Sequence, residues 1–242
     1  MAGSIGNNGT NTKNYSLRNG LQWYWDLSSA DATITDQHSG LVLTRGGTVN
    51  TLANGAPDGG SCIDFPTGGT SNVYLNASVR PLDSYSESYS VNIWVRNVAI
   101  SATFGNWYIN HRNTTGNDYF QLITLRNPNP LIIIYAFDRN INTYLIQYPY
   151  TLINEWFMLT LVTRQNILEM WVNGSIYGSQ VRVMEQQTAN SPFAIGNAAW
   201  AQNATLQHQG QLFAAGVWNR ALLPIDIKRL YNGGAGLRYV NL

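Results

Sequence analysis

The 242-residue sequence predicts an all-β chain, two antiparallel sheets packed face to face as a jelly-roll sandwich, with one short C-terminal helix near 224–232. Three observations point there. Roughly a dozen short runs rich in β-branched and aromatic residues alternate with clusters of Asn, Gly, Ser, Thr and Pro, the pattern of strands joined by turns. Their spacing is irregular and nothing recurs at a fixed period, which sets propellers and solenoids aside. Charged residues make up 11% of the chain and hydrophobic ones 44%, so its surface is polar through amides and hydroxyls, and a chain of this length can bury one large core.

The elements follow in order. In "LQWYWDL" (21–27) an extended backbone puts Leu21, Trp23, Trp25 and Leu27 on one face and Gln22, Tyr24 and Asp26 on the other. Burying the first set stabilises the fold by roughly 1.5–3 kcal/mol per large side chain. Trp23 and Trp25 therefore read as core rather than as a sugar platform, and Tyr24 is expected to be more open. A loop containing "TDQHSG" comes next, then "SCIDF", "NVYLNAS" and "YSVNIWVRNV". "NWYINHR" and "YFQLITLR" are joined through "RNTTGND", and "LIIIYAF", far too short to cross a bilayer as a helix, precedes "TYLIQYP". "WFMLTLVTR" and "ILEMWVNG" form a hairpin through "TRQNIL", followed by "SPFAIGN" and "GQLFAAGVWNR". In "LLPIDIKRLYNGGAG", Pro224 suits a first helical turn, Ile227, Leu230 and Tyr231 recur at helical spacing, and Gly233 supplies a left-handed stop. "LRYV" then closes the chain as a last strand or a tail.

Several classes of partner and site are disfavoured at once. A formal net charge of +1 gives no electrostatic footprint for nucleic acid or an anionic membrane. Cys62 is the one cysteine, so neither an intrachain disulfide nor a cysteine-based zinc site can form. The opening residues lack the apolar centre of a signal peptide, so the chain is expected to stay where it is made unless a leader was removed or another export route serves. Residues 1–19 read as a polar N-terminal arm ahead of a single domain at 20–242. The arm's large apolar side chains, Ile5, Tyr15 and Leu17, are too few to offset the backbone entropy of ordering it. A fixed arm must therefore lie on a further surface, expected to be a neighbouring chain, with these three residues as the assembly contact.

"GLQWYWDL" with "DQHSG", the central "YSVNIWVR", the hairpin "EWFMLTLVTRQNILEMWVNG", "FAIGN" and the ending "GQLFAAGVWNRALLPIDIKRLYNGG" together resemble the laminin G-like, concanavalin A-like jelly-roll domains over about residues 20–240. The resemblance implies two curved antiparallel sheets. It also implies a family that includes lectins, adhesion modules, glycosidases and bacteriophage virion proteins, so fold alone does not decide function.

An enzyme of this resemblance would need two carboxylates on one sugar, roughly 5–9.5 Å apart. Related hydrolases carry them at alternate positions of one strand, and no acid here has another two places along; Asp83 and Glu87 are too far apart in a strand, and a pair assembled from different strands stays open. His38 and His208 read as loop polar groups and His111 as a strand-surface residue. A non-enzyme is expected. Many relatives bind calcium at the rim; Asp36 and Asn173 lie in candidate loops, but both are also ordinary turn formers, and no cofactor or metal ligand is assigned. Trp107, Tyr150 and Trp200 stand near loops rich in Asn and Gln and are the candidate ligand or interface aromatics. The leading expectation is a virion protein, a bacteriophage capsid decoration (cement) protein made in the host cytoplasm, which binds the major capsid protein and forms a homo-oligomer, taken as a trimer. The alternative is a carbohydrate-binding, lectin-like module with a glycan partner, secreted or carried on a fibre.

Overall fold

A computed structural model describes residues 16–67, 73–77, 88–100, 106–112, 118–126, 130–137, 143–149, 153–181, 192–198 and 206–242. Ile5, Tyr15, Asp83, Glu87, Tyr150 and Trp200 lie outside them. The strands are β1 (Leu21–Asp26), β2 (Thr33–Thr35), β3 (Val42–Gly46), β4 (Asn50–Leu52), β5 (Cys62–Phe65), β6 (Tyr74–Ala77), β7 (Ser88–Asn97), β8 (Asn106–Arg112), β9 (Asp118–Arg126), β10 (Pro130–Phe137), β11 (Thr143–Pro149), β12 (Trp156–Arg164), β13 (Ile167–Val172), β14 (Ser175–Val181), β15 (Phe193–Ile195) and β16 (Gly210–Trp218), followed by helix α1 (Pro224–Tyr231).

They form two eight-stranded antiparallel sheets. The first runs β14-β13-β12-β7-β16-β5-β4, with β1 also on β16; the second runs β11-β10-β9-β8-β15-β6-β3-β2. Both expected hairpins form, β8 with β9 and β12 with β13. A third, β13 with β14, turns at Asn173-Gly174, whose φ angles of 50° and 78° give the left-handed pair that matches strand twist. Between the sheets lies a core of Trp25, Tyr89, Val91, Ile93, Phe157 and Leu159 from the first sheet against Leu43, Leu75, Ile109, Phe193 and Ile195 from the second.

The first sheet is covered on its other face too, where sequence periodicity gave no warning. Tyr24, Trp94, Met158, Trp171, Phe213 and Trp218 pack there under Leu17, Leu222 and Ile227 and Leu230 of α1. Tyr24, expected to be open, is therefore buried; its hydroxyl donates to the Leu237 carbonyl (2.5 Å), and burial pushes its pKa up. Leu21, expected beside Trp23 and Trp25, lies in this outer layer as well, because an extra residue between Leu21 and Trp23 shifts the register of β1 against β16 and reverses its facing. The segment after α1 is a tail ending in a 3-10 turn, Tyr239–Asn241. The left-handed helix stop falls at Asn232 (φ 48°), one residue before the expected Gly233, which is also left-handed (φ 63°). Of the three arm contacts only Leu17 is described: it is buried in its own chain, and its carbonyl accepts the Trp218 indole N–H (2.7 Å).

Candidate functional site

Strand register gathers many chain reversals at one end of the sandwich. Gly210 starts β16 opposite both Phe65, the end of β5, and Asn97, the end of β7. Trp156 starts β12 opposite Arg96, and β15 ends toward the start of β6 and of β8. The connections 66–73, 98–105, 150–155 and 196–209 therefore all leave from this end.

Side-chain amides at the feet of these connections hold them together. The Asn106 amide donates to Asn97 Oδ1 (3.1 Å) and to the Ala99 carbonyl (2.7 Å). Asn97 also meets the Tyr108 hydroxyl, through Nδ2 at 2.8 Å and Oδ1 at 3.1 Å, which ties the two sheets together at their rim. Asn110 donates to the Asn197 carbonyl (2.6 Å), and Asn197 to the Val73 carbonyl (3.0 Å). Gln207 accepts from the Val73 N–H (3.0 Å) and donates to the Pro66 carbonyl (2.9 Å). The Gln209 carbonyl accepts from Val98 (3.0 Å) and Ala99 (3.2 Å), and the Asn97 carbonyl from Asn154 (2.7 Å). Asn97, Asn106, Asn110, Asn197 and Gln207 are all buried. Each satisfied amide fixes the direction in which its chain leaves the sheet, since a buried amide tolerates few other geometries without losing a bond worth 1–3 kcal/mol or so.

Two glycines permit the close approaches. Gly196 has φ 80°, and a Cβ there would stand 2.3 Å from the Phe65 ring; at Gly210 (φ 142°) it would stand 2.1 Å from the Arg96 carbonyl oxygen. His208, read as a loop residue, is instead fully buried between the edges of Tyr108 and Phe65, with ring centroids 5.4 and 5.6 Å away. Nε2 lies 3.3 Å from the Gln211 carbonyl, and burial pushes the pKa down to about 3. It is a neutral packing group at ordinary pH, not a proton carrier. His111, expected on a strand surface, is likewise buried; His38 is exposed in its turn.

Trp107 is buried at the start of β8 with 7% of its surface accessible, so it is no exposed platform. Tyr150 and Trp200 lie outside the described residues; the nearest described residues are Pro149 and Ile153 for one, and Ala198 and Leu206 for the other. In sequence the segments 68–72, 101–105, 150–152 and 199–205 contain Phe104, Tyr150 and Trp200 among Asn, Gln, Ser, Thr, Gly, Ala and Leu, with no charged residue, while the exposed Glu155 closes the 150–155 connection. The stapling amides were not singled out in the sequence. Their signal was an Asn or Gln at both ends of two of these loops, in "RNV" with "GNW" and in "GNA" with "LQHQG".

The calcium candidates serve turns. Asp36 accepts from the Tyr24, His38 and Ser39 N–H groups and from the Ser39 hydroxyl, while Asn173 Oδ1 accepts from the Met158 N–H (2.8 Å). Among the described residues no three of His, Cys, Asp and Glu stand together as a metal site. Most of the described carboxylates have structural partners: Asp58 with Arg238, Glu169 with Arg164, Asp226 with Arg220, Asp64 with Gln211.

A sequence model described as the concanavalin A-like lectin/glucanases superfamily matches residues 67–228. No curated protein is matched by the sequence. Among solved structures, domain 4 of an extracellular arabinanase from Geobacillus stearothermophilus, in complex with arabinotriose, is similar at TM-score 0.60 and 15% identity, over 86% of this chain and 97% of that one. The binding domain of botulinum neurotoxin DC in complex with rat synaptotagmin II is similar at TM-score 0.65 and 16% identity, over 93% and 53%. The same domain in complex with SialylT is similar at 0.64 and 15%, over 92% and 52%. The chain thus spans about half the length of those neurotoxin domains, and at such identities the likeness is one of fold.

Proposed function

The chain belongs to the concanavalin A-like lectin/glucanase superfamily, and on that premise we propose that it is a carbohydrate-binding module that acts without chemistry of its own. The observation that carries this reading is the loop end: buried Asn97, Asn106, Asn110, Asn197 and Gln207 fix the feet of connections whose sequences offer aromatic rings, amides and hydroxyls with one carboxylate, Glu155, among them. Such rings stack on the C–H faces of a sugar, and fixed amides and hydroxyls bond its hydroxyl groups; holding them in advance lowers the entropy lost on binding. Tyr150 and Trp200 are the rings assigned to the ligand. That similar folds are known bound to arabinotriose and to SialylT supports the choice of ligand class. The engagement of most described Asp and Glu side chains in turns, caps and ion pairs supports binding over hydrolysis.

The capsid decoration reading drew on a fixed arm lying on a neighbouring chain. Of that arm only residues 16–19 are described, and Leu17 packs within its own chain, so the lectin-like reading is preferred. A glycan array with the full chain, repeated with Trp200→Ala and Tyr150→Ala, tests it. Reproducible binding to a defined glycan, reduced at least tenfold by one of the two variants, is expected. Binding to no glycan, or binding that neither substitution alters, contradicts the assignment.

A further inference from the structure

We propose that the first sheet carries a second ligand site on its outer face, where a row of side chains across β4, β5, β16, β7 and β12 takes two neighbouring hydroxyl groups of a sugar. Register sets the row. Asn50 pairs with Asp64, Asp64 with Gln211, Gln211 with Arg96, and Arg96 with Trp156. Directly paired residues share a face of the sheet, and the residues next in line, Val49, Ile63, Leu212, Val95 and Phe157, belong to the core between the sheets. The row therefore projects outward, away from the second sheet.

The row is held in place yet incompletely paired. Gln211 is 6% exposed; its side-chain amide donates to Asp64 Oδ1, which leaves Oε1 buried without a donor. A buried acceptor in that state is costly and calls for an explanation. Asp64 and Arg96 flank it on the neighbouring strands, both half-buried. Arg96 spends Nε on the Asn154 carbonyl (3.0 Å), and among the described residues its two terminal nitrogens and Asp64 Oδ2 have no bond. Trp156 closes the row: its indole N–H donates to the Gly55 carbonyl (2.9 Å) and its ring stands edge-on to Phe213, centroids 6.5 Å apart. The half-buried ring is thus fixed, with only carbon surface left to offer.

The open groups select the ligand. Gln211 Oε1 and Asp64 Oδ2 accept, and the terminal nitrogens of Arg96 donate. A carboxylate would satisfy Arg96 but be repelled by Asp64, and an ammonium would do the reverse. A hydroxyl both donates and accepts. Two adjacent hydroxyls, one donating to Gln211 and the other to Asp64 while accepting from Arg96, satisfy all three groups at once, and the carbon side of the same ring meets Trp156. The geometry stands apart from Tyr150 and Trp200; only the choice of sugars over other polyols rests on the carbohydrate reading.

The test is an NMR titration of the isotope-labelled full chain with methyl mannoside, methyl galactoside, methyl glucoside and arabinose at millimolar concentrations, reading the Gln211 side-chain amide, Arg96 Nε–H and Trp156 indole signals. Saturable shifts of these signals by at least one sugar are expected, both in the wild type and in a Tyr150→Ala, Trp200→Ala double variant. Affinity should fall at least tenfold in Gln211→Met, which keeps the length of the side chain and removes the acceptor, and in Asp64→Asn; thermal melting verifies that each is folded. If the loop-end rings prove dispensable while these shifts saturate, the second site stands and the loop-end assignment falls. No shift of these signals with any of the sugars overturns the proposal, as do shifts abolished by the double variant or unchanged in both Gln211→Met and Asp64→Asn. So does a crystal structure of the soaked protein in which an ordered water, displaced by none of the sugars, occupies Gln211 Oε1.

Discussion

The two places where the first sheet meets something other than its partner sheet differ in how they hold their buried groups. On its outer face, Trp94, Trp218, Phe213 and Met158 lie under α1, Leu17 and the tail, and area removed from water supplies the stability. At the loop end, the buried groups are amides, and hydrogen bonds of defined direction hold the chain. Apolar packing tolerates approximate shape, while an amide is satisfied in few arrangements. The outer layer should therefore govern whether the protein folds, and the loop end how precisely its loops are presented.

Substitutions that separate these roles sharpen the contrast. The largest effect is expected from Trp218→Ala, which removes a fully buried ring whose indole N–H is bonded to Leu17. Denaturant unfolding should show a loss of about 3–5 kcal/mol, with glycan affinity of the remaining folded protein unchanged.

Next comes pH. His208 is held neutral in the folded protein, with its pKa pushed down to about 3 by burial, and regains an ordinary value near 6.5 on unfolding. Its contribution is thus fully present above about 6.5, where both states are neutral. It is lost as pH falls from there towards 3, because only the unfolded chain takes up the proton, at up to roughly 1.4 kcal/mol per pH unit. Unfolding measured across that window for wild type and His208→Gln should give a shallower pH dependence for the variant.

Asn197→Ala removes the amide that reaches the Val73 carbonyl and is expected to cost about 1–3 kcal/mol, while reducing glycan affinity at least tenfold. Equal effects of Asn197→Ala and Trp218→Ala on affinity would erase the proposed division. The smallest change is expected from Asp58→Asn at the partly exposed Arg238 ion pair, about 0–1 kcal/mol by thermal melting. Arg238 holds the Asp58 carboxyl below its usual range against the opposing effect of burial.

Legibility in the sequence divides along the same line. Strand runs, both hairpins and α1 could be read because side-chain periodicity and turn chemistry are local. The burial of Tyr24 could not, since it depends on Leu237 and Trp218, about two hundred residues away. Leu21 was misplaced by a register shift that leaves no trace in the alternation of "LQWYW". At the loop end, Asn and Gln next to a turn look the same whether they face water or staple two connections, and only the register of β5, β7, β8, β15 and β16 brings Asn97, Asn110, Asn197 and Gln207 together. Strand β14 was passed over because "SIYGSQV" combines short polar and apolar residues without clear alternation.

The most direct test of the central claim is titration calorimetry of the wild type, Asn197→Ala and Trp200→Ala against the best glycan from an array. Saturable binding by the wild type, weakened at least tenfold in both variants while each still unfolds cooperatively, is the predicted result. Absence of glycan binding by the folded wild type, or affinity unchanged when the amide and the ring are removed, would contradict it.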